Sequence, residues 1–353
     1  MLAPGSSARI AASPGTIRIE SSGERVAFAP VTIPLDRATT WPYEDGEPGA
    51  FTYARFSSPT VAEAERRLGA LDGGEALLFA SGAAASTTVL LALLSPGRTV
   101  AVAEGAYYGT GRLLETLGRW GLRHVQFDQT GAPPAEADLV WLEAPANPFL
   151  TMPDFEASAA HPAPVVCDAT AATPLRVRPL DRGCDLVVHS ATKYLAGHDD
   201  ALLGAVVAKD AEMLERLRAF RSQTGPVAGP DAAWLLLRSL ETLEIRLARQ
   251  EATATHLAGR LQPHPAVQTV RYPGFGALLS FDVRDADAAR RVETATRVIA
   301  NRTSLGGVRS RIEARARWEG DRVPPGLLRL SVGLEDAEEL WADLEGALAL
   351  VTP

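Results

Sequence analysis

The chain has 353 residues, 46% of them hydrophobic, 22% charged and 6% aromatic, and its 35 basic and 43 acidic side chains leave a formal charge of −8. This is an ordinary globular composition, long enough for two or three domains. With a pI near 5.4 and no basic run, it lacks the clustered cations that nucleic acid or an anionic membrane attracts, and both partners are set aside.

In chain order, residues 1–50 show no sustained period and read as an N-terminal arm lying on a neighbouring subunit. From Ser58, SPTVAEAERRLGALDGG predicts a helix opened by a capping box, Thr60 with Glu63, and stopped at Gly73-Gly74. Short apolar runs follow: ALLFAS, TVAVAE, HVQFD, DLVWLE, PVVCDAT, DLVVHS and LLGAVVA. Runs of aliphatic residues without alternation are what strands covered on both faces look like, so residues 51–225 predict an α/β domain with a mainly parallel sheet sandwiched by helices. Residues 226–353 predict a smaller α+β domain, with one long helix of close to thirty residues from Pro230, strands in GALLSFDV and GLLRLSVG, and a final helix near Ala337 to Val351. The longest aliphatic run, Val89 to Leu94, is too short to span a bilayer. The N-terminus has no apolar secretory segment, and Cys167 and Cys184 sit in apolar runs without zinc or disulfide spacing. The expectation is a cytoplasmic protein with two free, buried thiols.

Ligands of open α/β sheets bind beyond the carboxyl ends of the strands, so the residues ending each run carry the chemistry. In DLVVHSATKYLAGHDD a buried strand ends in Ser190-Ala-Thr192-Lys193. A lysine held there in a dry pocket loses basicity, and its free amine can attack an aldehyde. The basic residues are otherwise dominated by arginine, so this lysine stands out. In FASGAAA, Ser81, Gly82 and Ala83 leave a strand and open a helix, whose free N–H groups suit a phosphate. Asp168 ends PVVCD, where a carboxylate can pair with a protonated ring nitrogen and make a pyridine an electron sink. Tyr107, in EGAYYGTG, offers a stacking face and a phenol that acts as a base if a cation lowers its pKa. Imine lysine, ring carboxylate, stacking tyrosine and phosphate donors together describe a pyridoxal 5′-phosphate (PLP) site. Neither a dinucleotide nor a P-loop string occurs, and the histidines lack metal-ligand spacing; His198 reads as a residue ordering the loop after Lys193.

These motifs also carry a resemblance. The chain resembles the Cys/Met-metabolism, or transsulfuration γ-family, of PLP-dependent enzymes along nearly its whole length, the group that contains cystathionine γ-lyase, cystathionine γ-synthase, cystathionine β-lyase and methionine γ-lyase. The likeness implies a fold-type I PLP-dependent transferase-like architecture. SATKYLAGHDD is similar to the family's Schiff-base segment, implying Lys193 on the cofactor aldehyde with Ser190 and Thr192 on its phosphate. YARFSSPT is similar to its Tyr-x-Arg segment, implying that Tyr53 and Arg55 reach the phosphate of a neighbouring subunit. FASGAAA implicates the backbones of Gly82 and Ala83 beside Ser81, YYGT makes Tyr107 the stacking residue and proton acceptor, and EAPANP places Asn147 and Glu143 by the cofactor. TSLGGVRS and LRLSVGLED imply Ser304 and Arg329 on the substrate carboxylate, with Thr303 helping to set substrate choice.

Departures from the pattern are Ala169 after the ring-pairing Asp168, Arg302, Arg309, Glu241 in place of a basic residue, and a direct RYPGFGALLSFDV join. Arg302 and Arg309 fit either an acidic or extended substrate side chain or plain surface ion pairs. The resemblance implies γ-elimination, a C–S lyase reaction on a cystathionine-like L-amino acid, in a homotetramer whose active sites are shared across a dimer interface. Alternatives are γ-replacement on an O-activated homoserine, aminotransfer, and a PLP-binding protein with altered or lost turnover.

Overall fold

The computed structural model describes residues 32–352, together with the backbone of 17–21 and 24–28. Within the expected arm, β1 (Ile17–Ser21) and β2 (Glu24–Phe28) pair as an antiparallel hairpin, where no regular element was expected; the rest of 1–31 lies outside the described residues.

All seven apolar runs are strands of one sheet: β3 (Glu75–Phe79), β4 (Thr99–Ala103), β5 (Arg123–Phe127), β6 (Leu139–Glu143), β7 (Val165–Asp168), β8 (Leu186–His189) and β9 (Gly204–Ala208). The order is β3-β9-β8-β7-β6-β4-β5, parallel except for β9, which runs against both its neighbours. The absence of alternation in the sequence has a direct cause. On β3, Leu77 and Phe79 enter one apolar cluster and Leu78 the other, and on β8 Val188 and Val187 divide the same way. Each face is therefore dry, and burying each such side chain contributes about 1.5–3 kcal/mol.

Helices α1 (Pro59–Asp72), α2 (Gly82–Leu93), α3 (Tyr108–Leu117), α4 (Phe155–Ala159) and α5 (Ala211–Thr224) cover these faces. The capping box at α1 does not form. Ser58 is the N-cap, the Thr60 hydroxyl instead accepts from Asp36 N–H and donates to Pro34 C=O, and Glu63 pairs with Arg66 and Arg67. Long-range partners outbid the local cap. The stop at Gly73 does form, in the left-handed region at φ 81°.

The expected thirty-residue helix is two, α6 (Pro230–Leu240) and α7 (Leu243–Leu261). The break falls where the Ser239 carbonyl is taken by Thr242 N–H and by the Arg246 guanidinium. Glu241, the acid in a place expected to be basic, pairs there with Arg67 of α1. A second sheet, β10 (Thr269–Arg271), β11 (Leu278–Asp282), β12 (Ala300–Asn301), β13 (Arg311–Ala314) and β14 (Leu327–Ser331), has the order β10-β11-β14-β13-β12. It packs with α8 (Ala286–Ala295) and α10 (Ala337–Ala349), and the short α9 (Ala316–Glu319) follows β13. The direct RYPGFGALL join is a tight β10–β11 turn, closed by Tyr272 Oη donating to Gly276 C=O and by Glu251 accepting from Gly276 N–H.

Cys167 and Cys184 are buried and free. No helix among the described residues is long and apolar enough to cross a membrane.

Candidate active site

The carboxyl ends of β3, β4, β6, β7 and β8 open onto a cavity of about 330 Å³. Of the residues singled out from the sequence, Ser81, Gly82, Ala83, Tyr107, Glu143, Asn147, Asp168, Ser190, Thr192, Lys193, Thr303, Ser304 and Arg329 all line it. Tyr53 and Arg55 do not: Tyr53 is exposed, Arg55 donates to the Ser222 carbonyl, and the guanidinium lies 5.3 Å from the Tyr53 and Phe56 ring centres.

The chain has two lysines, Lys193 and Lys209. Lys209 is exposed and paired with Asp181, which leaves Lys193 as the one lysine amine placed in the cavity. Its Nζ donates to Ser304 Oγ at 2.8 Å. Burial, then the nearby Arg329 and Arg311 cations, lower its pKa from 10.5 to about 8. About a tenth of the amine is therefore free base at neutral pH, against well under a thousandth for an ordinary lysine, and the free base is the form that attacks a carbonyl. Ser304 holds this position in the left-handed region, φ 85°, a strained conformation for a residue with a Cβ.

Ser81 caps α2 by accepting from Ala84 N–H at 3.1 Å, so the Gly82 and Ala83 N–H groups, which the helix cannot satisfy, remain at the cavity wall. Gly82 has to be glycine: a Cβ there would lie 2.8 Å from Ser190 Cβ and 3.0 Å from its Cα. Ser190, N–H groups and helix dipole thus form an anion cradle. Thr192 departs from its expected role. Its hydroxyl donates to Leu203 C=O at 3.1 Å and accepts from Leu203 N–H at 2.9 Å, so its proton is committed to the loop rather than to a phosphate.

Asp168 stands at the cavity foot, accepting from Thr170 N–H at 2.9 Å and Thr170 Oγ1 at 2.5 Å. Burial raises its pKa; the Thr170 bonds and the buried His189 oppose that rise. His189 in turn bonds Asp72 at 2.6 Å. Glu143, pushed well above the usual carboxylate range by burial and by Asp168, accepts from Tyr107 N–H at 2.5 Å and fixes that turn. Gly109 leaves room for the Tyr107 ring, because a Cβ would come within 2.4 Å of it. The phenol is less acidic than expected. Desolvation and Tyr108 raise its pKa, and the opposing pull of Arg315 and Arg329 is too small to reverse this.

Arg329 donates to Asn147 Oδ1 at 3.0 Å and to Glu313 Oε2 at 3.0 Å, and burial with the neighbouring Arg315 lowers its pKa to about 10. Sequence reasoning missed what surrounds it. Glu313 also binds Arg315 and the Trp318 indole, and Arg315, itself on the cavity wall, is held by Glu319. Arg302 pairs with Asp199 at 3.4 Å and Arg309 is exposed, and neither lines the cavity. His198 bonds Ala196 C=O at 2.7 Å and Ser239 Oγ at 3.2 Å, ordering the loop after Lys193.

Residues 15–349 match the family model described as Cys/Met metabolism PLP-dependent enzyme. The chain belongs to this family. It is 41% identical to an L-methionine gamma-lyase of Streptomyces avermitilis, over 89% of this chain and 84% of that protein. It is 37% identical to a cystathionine gamma-synthase of Mycobacterium tuberculosis, over 91% and 93%. A cystathionine gamma-lyase of Lactobacillus plantarum, solved with L-serine, superposes with a TM-score of 0.86 at 30% identity, covering 92% of this chain and 94% of that one. The family is PLP-dependent, and the cavity fits the cofactor: an amine of lowered basicity, an anion cradle that a Cβ on Gly82 would close, and a buried carboxylate between them. Among the described residues no cluster of His, Cys, Asp or Glu is placed to hold a metal.

Proposed function

We propose that the protein is a C–S lyase that eliminates the γ-substituent of a cystathionine-like L-amino acid, releasing a thiol, a 2-oxo acid and ammonia. The observation that carries this reading is the Lys193 amine 2.8 Å from Ser304, in one cavity with Arg329. Bound PLP supplies an electron sink for negative charge at the substrate Cα.

The chain's own residues do the rest. Arg329, anchored by Asn147, Glu313 and the Ser304 carbonyl, draws the substrate carboxylate as a buried cation with donors to spare, with the Ser304 and Thr303 hydroxyls beside it. Lys193, as free base, takes the Cα proton and then a Cβ proton; the γ-sulfur leaves with one proton as the thiol, the other returns at Cγ, and water hydrolyses the released enamine to the 2-oxo acid and ammonia. Tyr107 accepts the proton of the incoming ammonium, and Asp168 keeps a positive partner charged at the cavity foot. Gly82, Ala83, Ser81 and Ser190 hold the phosphate, and Asn147 and Glu143 flank the ring. The raised Tyr107 pKa calls for a further cation, which Tyr53-x-Arg55 of a second copy supplies together with a phosphate contact. The working unit is therefore at least a dimer, and a homotetramer as a pair of such dimers, with residues 1–50 as the arm contacting the neighbouring subunit, 51–225 as the PLP-binding α/β domain and 226–353 as the C-terminal α+β domain. Two free buried thiols suit a reducing cytoplasm.

One observation favours γ-replacement as the second reading. A neighbouring cavity of about 540 Å³ shares the walls Tyr107 and Tyr108 and carries Arg271 and Arg322 with Glu104 and Asp128, room and charge for a second zwitterionic amino acid. Incubation with cystathionine, and separately with an O-acyl homoserine plus cysteine, separates the two. Thiol and 2-oxo acid from cystathionine alone support the lyase; turnover only in the second mixture overturns it.

A further inference from the structure

We propose that one face of α7 is a positioning template that sets Lys193 against the Ser304–Arg329 carboxylate site, with Arg246 holding the first and Gln250 the second. The proposal rests on the assignment of Lys193 and Arg329 above and assigns two residues outside the cavity wall.

Arg246 and Gln250 are one helical turn apart, so they project from the same face of α7. Arg246 is 4% exposed and, among the described residues, has no carboxylate partner. Its Nη1 donates to Tyr194 C=O at 3.0 Å and its Nη2 to Leu195 C=O at 3.4 Å and Ser239 C=O at 3.0 Å. Tyr194 and Leu195 directly follow Lys193. Leaving a buried guanidinium without a counter-charge is costly, and burial alone lowers its pKa to about 10. What the cation gains is a fixed Lys193 turn. That turn is shaped to receive it: Gly197 has φ +69°, its N–H bonds Lys193 C=O at 2.7 Å, and a Cβ there would strike Arg246 Nη1 at 2.2 Å.

Gln250 is fully buried, and its Nε2 donates to Gly307 C=O at 2.9 Å and Val332 C=O at 3.0 Å. Gly307 closes the turn that carries Ser304, and Val332 follows β14, which carries Arg329. The two turns also touch directly. Val308 N–H donates to Gly197 C=O at 2.9 Å, and a Cβ on Gly306 would lie 2.5 Å from Tyr194 N. Five backbone carbonyls from four segments of the chain are thus gathered on two side chains of one helix. Both Lys193 and Ser304 are presented from turns, which have no ladder of their own to fix them, so their 2.8 Å contact depends on this outside frame.

The test uses the holoenzyme of Arg246→Lys, Arg246→Met and Gln250→Met, with the pH midpoint of the bound cofactor's absorbance, kcat, KM and thermal midpoint all measured. Arg246→Lys keeps the charge but loses the planar fork that spans two loops, so the fold survives where Arg246→Met does not. The expected result for Arg246→Lys is a shifted absorbance midpoint and a kcat lower by about 10- to 100-fold, with KM little changed. Gln250→Met is expected to raise KM by about tenfold while the absorbance midpoint stays put. Folded variants with wild-type midpoint, kcat and KM, whatever their thermal midpoint, would reduce α7 to a packing element and overturn the proposal. Borohydride reduction of the wild type tests the underlying assignment separately. A pyridoxyl mass on Lys193 with indifferent variants refutes the template alone, and a mass elsewhere or nowhere removes the assignment and the template together.

Discussion

Lys193→Met probes the electrostatics of the cavity in the cofactor-free protein. In the folded state the amine has a pKa of about 8 against an ordinary 10.5, chiefly through burial. At about 1.4 kcal/mol per unit, holding it charged costs the fold about 3 kcal/mol at neutral pH. Because the folded value is the lower one, that cost is fully present below about pH 8 and disappears as pH rises from about 8 to 10.5. Methionine keeps the apolar stem and removes the charge; it also loses the Ser304 hydrogen bond, worth about 1 kcal/mol. The variant should therefore be more stable than wild type by about 2 kcal/mol at pH 7, with the gap closing and then reversing slightly by about pH 10.5. Urea unfolding of both proteins across pH 6.5–10.5 measures it. A variant less stable than wild type at pH 7, or a gap that does not narrow with rising pH, would refute the claim that the lysine is held against its charge.

Two further outcomes follow from the same geometry. Arg55→Ala removes a partly exposed side chain whose one hydrogen bond among the described residues is to the Ser222 carbonyl, so stability should change by less than about 1 kcal/mol while PLP affinity in the oligomer falls at least about tenfold; unchanged cofactor retention in dialysis would sink the shared site. Glu313→Gln takes one charge out of the buried Arg329–Glu313–Arg315–Glu319 network and should cost about 3 kcal/mol in urea unfolding, whereas an exposed pair would cost under about 1.

The sequence by itself determined the strands, their near-parallel sheet and most of the cavity wall. The reason is local: an aliphatic run long enough for one strand, ended by a functional residue, places that residue at the carboxyl edge wherever the strand lies in the sheet. Gly82, Asp168 and Lys193 were legible for this reason, each within a few residues of a strand end. Tertiary structure alone decided the rest. Thr60 left its cap for Asp36 and Pro34, Thr192 spent its hydroxyl on Leu203, and α6 parted from α7 because Arg246 reached the Ser239 carbonyl. Arg315, Glu313 and Gln250 gave no signal in sequence, because their partners lie on segments whose approach no local pattern records. A hydrogen bond between distant turns exists only once two sheets and a helix have been packed against each other, and it was there that the environment of the lysine was set.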